Sequence, residues 1–225
     1  MNILEYGYYD TASNDSEVKD YVKQALKYQP NTISVLPSYL RCSKNIIKNQ
    51  CALSTVIDFP YGISPLKSRT YAIEQAIKDG AQIIELVIPN HALCNKKYDK
   101  FRQDINIHKD LCDRHNVELR YILDYRIFTE YMLYKIAQML LAHKIDVIYP
   151  STNLFLDNIT DNIIASMMIS KKVPYIDVIV NGNAWNDDHI SLIMNNPKIY
   201  GYKTNNLYTL EKIFYYQLKT PEKSV

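Results

Sequence analysis

Apolar and polar positions alternate in two periods along this chain. Short β-branched runs are separated by longer stretches with apolar residues three and four apart, the marks of strand and amphipathic helix. Ile3 to Tyr8 is a plausible first strand, and Asn14-Asp15-Ser16-Glu17 has the form of a capping box opening a helix to about Tyr28. Thr32 to Leu36 reads as the second strand, ended by Pro37, and Leu53 to Phe59 as the third. Ser64-Pro65 caps and starts a helix that Gly80 stops, and Ile83 to Pro89 follows as the fourth strand. A helix over Asp99 to His115 leads to a strand at Glu118 to Leu123. A helix over Glu130 to His143 then leads to a strand at Asp146 to Pro150. Ile159 to Lys171 is helical, Tyr175 to Val180 is the seventh strand and Asp187 to Met194 a short helix. Ile199 to Tyr202 makes a weak eighth strand, and Thr209 to Leu218 the last helix.

Eight strands alternating with helices predict an α/β protein, a single (β/α)8 barrel whose functional groups gather at the C-terminal ends of the strands. The expected domain is 1–218, with an extra N-terminal helical segment and a flexible tail over 219–225.

Composition changes this picture little. A net charge of +2 over 225 residues gives no electrostatic case for nucleic acid or an anionic membrane, and neither partner is expected. No apolar run is long enough to span a bilayer, and the first residues do not form a signal peptide. The four cysteines and five histidines are dispersed, without the spacing of a metal site. A cytoplasmic location without metal or cofactor is therefore the expectation. The chain has 20 Tyr but only 5 Gly. That scarcity matters because barrel loops that hold phosphate need glycine for close backbone approach.

The region from the third strand to the fourth carries a more specific signal. Thr55-Val56-Ile57-Asp58-Phe59-Pro60-Tyr61-Gly62, then Gly80-Ala81 through Ile88-Pro89 and Ala92-Leu93, resemble motifs of the deoxyribose-phosphate aldolase family. Ile33 to Leu40, Leu119 to Asp124 and Ile145 to Asn153 are similar to further motifs of that family, so the resemblance covers nearly the whole chain. It implies a (β/α)8 fold and a Schiff-base lysine on the sixth strand. A second lysine on the seventh strand would depress the pKa of the first, and an acid/base aspartate would sit on the fourth.

At those positions this chain has Tyr149, Ile179 (or Val180, if the match slides by one residue) and Glu85. A phenol cannot form an imine, so the resemblance implies a barrel without the family's lysine chemistry. The candidate catalytic residues are Glu85, Tyr149 and Lys203. Glu85 is either a site carboxylate or the buried partner of an interior Lys or Tyr. Tyr149 is either a plug in the space of the lost lysine or a ligand contact. Lys203 is a phosphate contact, a relocated amine or a solvated loop residue. Candidate ligand contacts are Asp124, Ser151, Thr152, Asn181, Gly182, Asn183 and Thr204, with the phosphate-binding glycine elements half kept.

Three functions follow: a binding protein for a small polar or phosphorylated ligand or a protein partner, a lyase or isomerase with relocated groups, or an interaction scaffold. In the last, Trp185 and exposed tyrosines would supply contact surface, as a homo-oligomer or with another protein.

Overall fold

A computed structural model describes residues 3–154, 157–184 and 186–219. Eight parallel strands close into a barrel in sequence order. They are β1 (Ile3–Tyr8), β2 (Thr32–Val35), β3 (Ala52–Ile57), β4 (Ile83–Val87), β5 (Glu118–Ile122), β6 (Val147–Tyr149), β7 (Asp177–Asn181) and β8 (Gly201–Thr204). The connecting helices are α1 (Asp15–Leu26), α2 (Leu40–Ile47), α3 (Leu66–Asp79), α5 (Tyr98–Arg114), α6 (Glu130–Ala142), α7 (Ile159–Lys172) and α8 (Asp187–Met194). A one-turn helix α4 (Asn90–Cys94) precedes α5, and α9 (Leu207–Lys219) follows β8.

The strands are buried on both faces, which is why they read as nearly continuous apolar runs. One face packs under the helices in the main core. The other points into the barrel, where Val56, Val87, Ile122, Val147, Tyr149 and Ile179 form a separate cluster. Register brings Val56 beside Glu85, Glu85 beside Arg120, and Asn181 beside Lys203.

Local chemistry explains the element ends. The Asn14 side chain accepts from the Ser16 and Glu17 amides, and Glu17 accepts in return from the Asn14 amide. Gly80 ends α3 in the left-handed conformation. Gly62, in the turn after β3, has φ +63, and a Cβ there would lie 2.0 Å from the Ile88 carbonyl oxygen. That turn can close against β4 only with glycine.

Two expectations need correction, and one helix was not expected. There is no extra N-terminal helical segment among the described residues, because α1 is the ordinary crossover from β1 to β2. The segment after Pro37, to which the sequence pattern assigned no element, is helical, a 3-10 turn over Pro37–Tyr39 leading into α2. The eighth strand begins two residues later than its apolar pattern suggested, so Lys203 and Thr204 lie within β8 rather than beyond it. Lys219 closes α9, while the rest of the expected tail (220–225) and Trp185 lie outside the described residues.

Candidate functional site: a charged interior closed to solvent

Four charged residues stand in the middle of otherwise apolar strands, on the face that points into the barrel. Glu5 on β1, Glu85 on β4, Arg120 on β5 and Lys203 on β8 are all buried. Their formal charges cancel. They form two clusters that share the interior with Tyr149.

In the first cluster the Lys203 ammonium donates to the Glu85 carboxylate, and the Ser54 hydroxyl donates to its other oxygen at 2.5 Å. Burial alone would raise the Glu85 pKa. The opposing pull of Lys203, Ser54 and Arg120 outweighs it and holds the carboxyl below its ordinary range. The Lys203 ammonium also lies 4.8 Å from the Tyr149 ring centre and 5.5 Å from that of Tyr9, within cation–π reach of both faces.

In the second cluster Arg120 donates to Glu5 at 2.6 Å and to the Tyr149 hydroxyl at 2.9 Å, and Tyr149 donates to Glu5 at 2.8 Å. Glu118 takes the other side of the same guanidinium at the barrel's N-terminal rim. Burial and the nearby carboxylates of Glu5 and Glu85 push the Tyr149 phenol well above its usual pKa. It is therefore a neutral hydrogen-bonding group, already engaged on both sides.

Tyr9, just beyond β1, covers these clusters. Its ring packs against Phe59 at 5.1 Å between centres and lies over Gly7, where a Cβ would come within 2.8 Å of its hydroxyl oxygen. Burial, Glu85 and Glu5 raise its phenol as well, with Ser34 opposing.

Glu85, Tyr149 and Lys203 thus lie close together, in a filled interior. Lys203 is a buried ion-pair partner, not a solvated loop lysine. The candidate ligand contacts are largely engaged with one another. Asn181 donates to the Ser151 carbonyl oxygen at 3.0 Å, and the Ser151 hydroxyl to Asp157 at 2.5 Å. Thr152 accepts from the Leu154 amide, and Asp124 holds Arg126 through both its oxygens. Thr204 donates to Asn183 at 2.8 Å. The Tyr202 hydroxyl donates to the Gly182 carbonyl oxygen at 2.6 Å and accepts from the Ala184 amide at 2.8 Å. A tyrosine therefore occupies an amide that could otherwise face an anion in the loop after β7.

Glu5, Arg120, Ser54 and Tyr9 were not singled out from sequence. A signal existed for two of them. Glu5 between Leu4 and Tyr6, and Arg120 between Leu119 and Tyr121, show the same charge-within-a-strand pattern that drew attention to Glu85.

No group of His, Cys, Asp and Glu among the described residues is arranged to hold a metal ion. No described helix is long and apolar enough to cross a membrane.

The charged interior also sets a pH dependence. Glu85 and Asp104 both titrate below their ordinary values in the folded chain. Their stabilisation is complete above the unfolded carboxylate pKa, about 4. It is lost as pH falls through the lower folded values, because the unfolded chain then binds more protons. Urea midpoints measured downward from neutral pH should hold until about pH 5 and then fall steeply.

Comparison with known proteins bears on what this interior descends from. The chain is 26% identical over 142 residues to the deoxyribose-phosphate aldolase of Metamycoplasma hominis, covering 63% of this chain and 64% of that one. It is 32% identical over 99 residues to the Finegoldia magna enzyme of the same name, covering 44% and 46%. Over these stretches the chain is similar to deoxyribose-phosphate aldolases. The matched stretch spans less than two thirds of these relatives' length. No family model matches the chain.

Solved structures agree on the fold. An aldolase named QR15 superposes with a TM-score of 0.83 at 18% identity, over 96% of each chain. A putative deoxyribose-phosphate aldolase from Coccidioides immitis gives 0.82 at 16% identity, over 96% of this chain and 85% of that one.

Proposed function

We propose that this chain is an aldolase-fold protein without Schiff-base aldolase activity, acting by binding rather than by catalysis. The observation that carries this reading is Tyr149. It stands where the family resemblance puts the imine lysine, and its hydroxyl is fixed between Glu5 and Arg120. Ile179, at the position of the second lysine, packs beside it in the same apolar cluster. The remaining interior amine, Lys203, is ion-paired with Glu85, and an ammonium has no lone pair with which to attack a carbonyl.

Between the two binding roles, the arrangement favours a protein partner over a phosphorylated ligand. Tyr202 fills the Ala184 amide, and Asn183 is tied to Thr204. Meanwhile Tyr61, Ile63 and Ile127 are exposed in loops at the C-terminal ends of the strands. Four free thiols suit work in the cytoplasm.

A second reading rests on Lys203 itself. An amine and a carboxylate in contact inside the barrel are the parts of a relocated catalytic pair, if Tyr9 swings aside.

Deoxyribose 5-phosphate separates these readings. The binding-without-catalysis reading predicts no release of acetaldehyde above a protein-free control. It also predicts no rise in melting temperature at millimolar ligand, since a ligand bound to the folded state must raise it. Turnover abolished by Lys203→Met, in a variant that its urea midpoint shows to be folded under the assay conditions, would establish the relocated pair. A ligand-induced rise without turnover would restore the phosphorylated-ligand role.

A further inference from the structure

Between α6 and α7, on the outside of the barrel, lies a cavity of about 210 Å³. Its floor is apolar, made by the buried Leu133, Ala165 and Ile169. Three aromatic residues line it, Tyr125 and Phe128 from the loop after β5 and Tyr134 from α6. Two exposed carboxylates complete the lining, Glu130 at the start of α6 and Asp161 in the first turn of α7. Among the described residues, no Lys, Arg or His lines the cavity.

Acidic partners hold two of the rings. The Tyr134 hydroxyl donates to Glu130, and the Tyr125 hydroxyl donates to Asp157 at 2.6 Å. Partial burial and these carboxylates push the Tyr134 phenol up to about 12 and raise that of Tyr125 as well. Both rings therefore stay neutral near pH 7, with the electron-rich faces that attract cations. Arg126 stands 6.0 Å from the Tyr125 ring centre, but both oxygens of Asp124 hold its guanidinium. Elsewhere on α6 such a contact is already filled, with the Lys135 ammonium 3.8 Å from the Tyr98 ring centre.

The lining decides what fits. The volume is below the ~300 Å³ at which pockets for drug-sized molecules begin, so the occupant is small. The carboxylates repel an anion. A bare metal ion would lose its water to an apolar floor that offers nothing in exchange. A neutral apolar molecule would use the floor and leave the carboxylates idle. An alkylated ammonium uses every part, since its methyl groups pack on the floor while its diffuse charge meets the rings and the acidic rim.

We propose that this cavity binds an alkylated ammonium headgroup of the choline type, with Tyr125, Phe128 and Tyr134 about the charge and Glu130 and Asp161 at the rim. The site lies outside the barrel and stands whether or not the interior is catalytic. The headgroup can be carried by a free small molecule or by a methylated lysine of a protein partner, and the recognition chemistry is the same.

Isothermal titration calorimetry of the full chain with choline tests it, at constant ionic strength because salt screens the exposed carboxylates. Saturable binding in the millimolar range is expected. The neutral isostere, with tert-butyl in place of trimethylammonium, has the shape without the charge. It should bind at least ~10-fold more weakly, about 1.4 kcal/mol. Tyr134→Leu and Phe128→Leu should each weaken choline about 3- to 10-fold by removing one ring. The double change Glu130→Gln/Asp161→Asn should weaken it too. Urea midpoints check that each variant is folded, and the exposed carboxylate pair tests the site alone if the loss of a ring prevents folding. A short trimethyl-lysine peptide run beside choline identifies the carrier by which of the two binds more tightly, and either order supports the site. Absence of saturable binding by both would overturn the proposal. So would equal affinity for the isostere, or choline binding that these substitutions leave unchanged in folded variants.

Discussion

Lys203→Met should destabilise the fold by about 3–5 kcal/mol, because it leaves the Glu85 carboxylate in the barrel without its cation. Both side chains are wholly buried, so solvent screens neither charge. Ser54 remains bonded to Glu85, but one hydroxyl and the more distant Arg120 cannot replace an ammonium in direct contact. The carboxyl should then protonate at a higher pH than before, so acidification relieves the stranded charge and the variant should lose less stability than the parent as pH falls. Glu85→Leu alone should cost a similar amount by stranding the ammonium. The double change Glu85→Leu/Lys203→Met should be less damaging than either single one, since replacing a whole buried pair by apolar groups is often near neutral. Urea midpoints for the four proteins give the coupling directly. Independent, additive losses would mean that the pair does not hold the interior together.

The second large effect lies outside the barrel, at Arg69. Its guanidinium grips both oxygens of Asp104 at 3.0 and 3.1 Å, donates to Asp58 at 2.6 Å and reaches the Val87 carbonyl oxygen at 2.8 Å. One buried side chain on α3 thereby ties together the turn after β3, the end of β4 and α5. Asp58 turns to it with positive φ while also accepting from the Ser64 amide and hydroxyl. Asp104 is further held by Tyr121.

Arg69→Met should cost about 3–5 kcal/mol, because two buried carboxylates lose their only shared cation. Arg69→Lys should fall between, since a single ammonium cannot reproduce the planar fork that meets Asp104 on two nitrogens. Chemical unfolding of the three proteins checks both size and order. A lysine variant as stable as the parent would show that charge alone, not geometry, is what the site requires.

Most of the fold could be read from the sequence because barrel strands are buried on both sides. Ile83 to Val87 and Val147 to Tyr149 stand out as apolar runs whatever lies around them. The edges were harder. β8 is four residues long and carries Lys203, so its apolar signal points upstream to Ile199 and Tyr200. Helix α2 follows Pro37, which ends β2 and masks the helix beyond it.

In the site, alternation within β4 was enough to place Glu85 inside. Which residue would neutralise it was not legible. Lys203 lies 118 positions away, and Arg120 lies 115 from Glu5. Such pairings follow from barrel closure, which no local pattern encodes. Tyr9 was missed for a related reason. Its role depends on the glycine two residues earlier, which leaves room for the ring to fold back over the strand.

A filled, charge-balanced interior of this kind should not behave as a latent imine site. Borohydride reduction in the presence of acetaldehyde, followed by intact-mass and peptide mass measurement, tests it most directly. Surface lysines will be alkylated slowly in any protein, so the informative quantity is labelling at Lys203 relative to them. Lys203 should stay unmodified while the protein is folded and become labelled only in urea. Rapid, saturable labelling of Lys203 in the folded protein would contradict it.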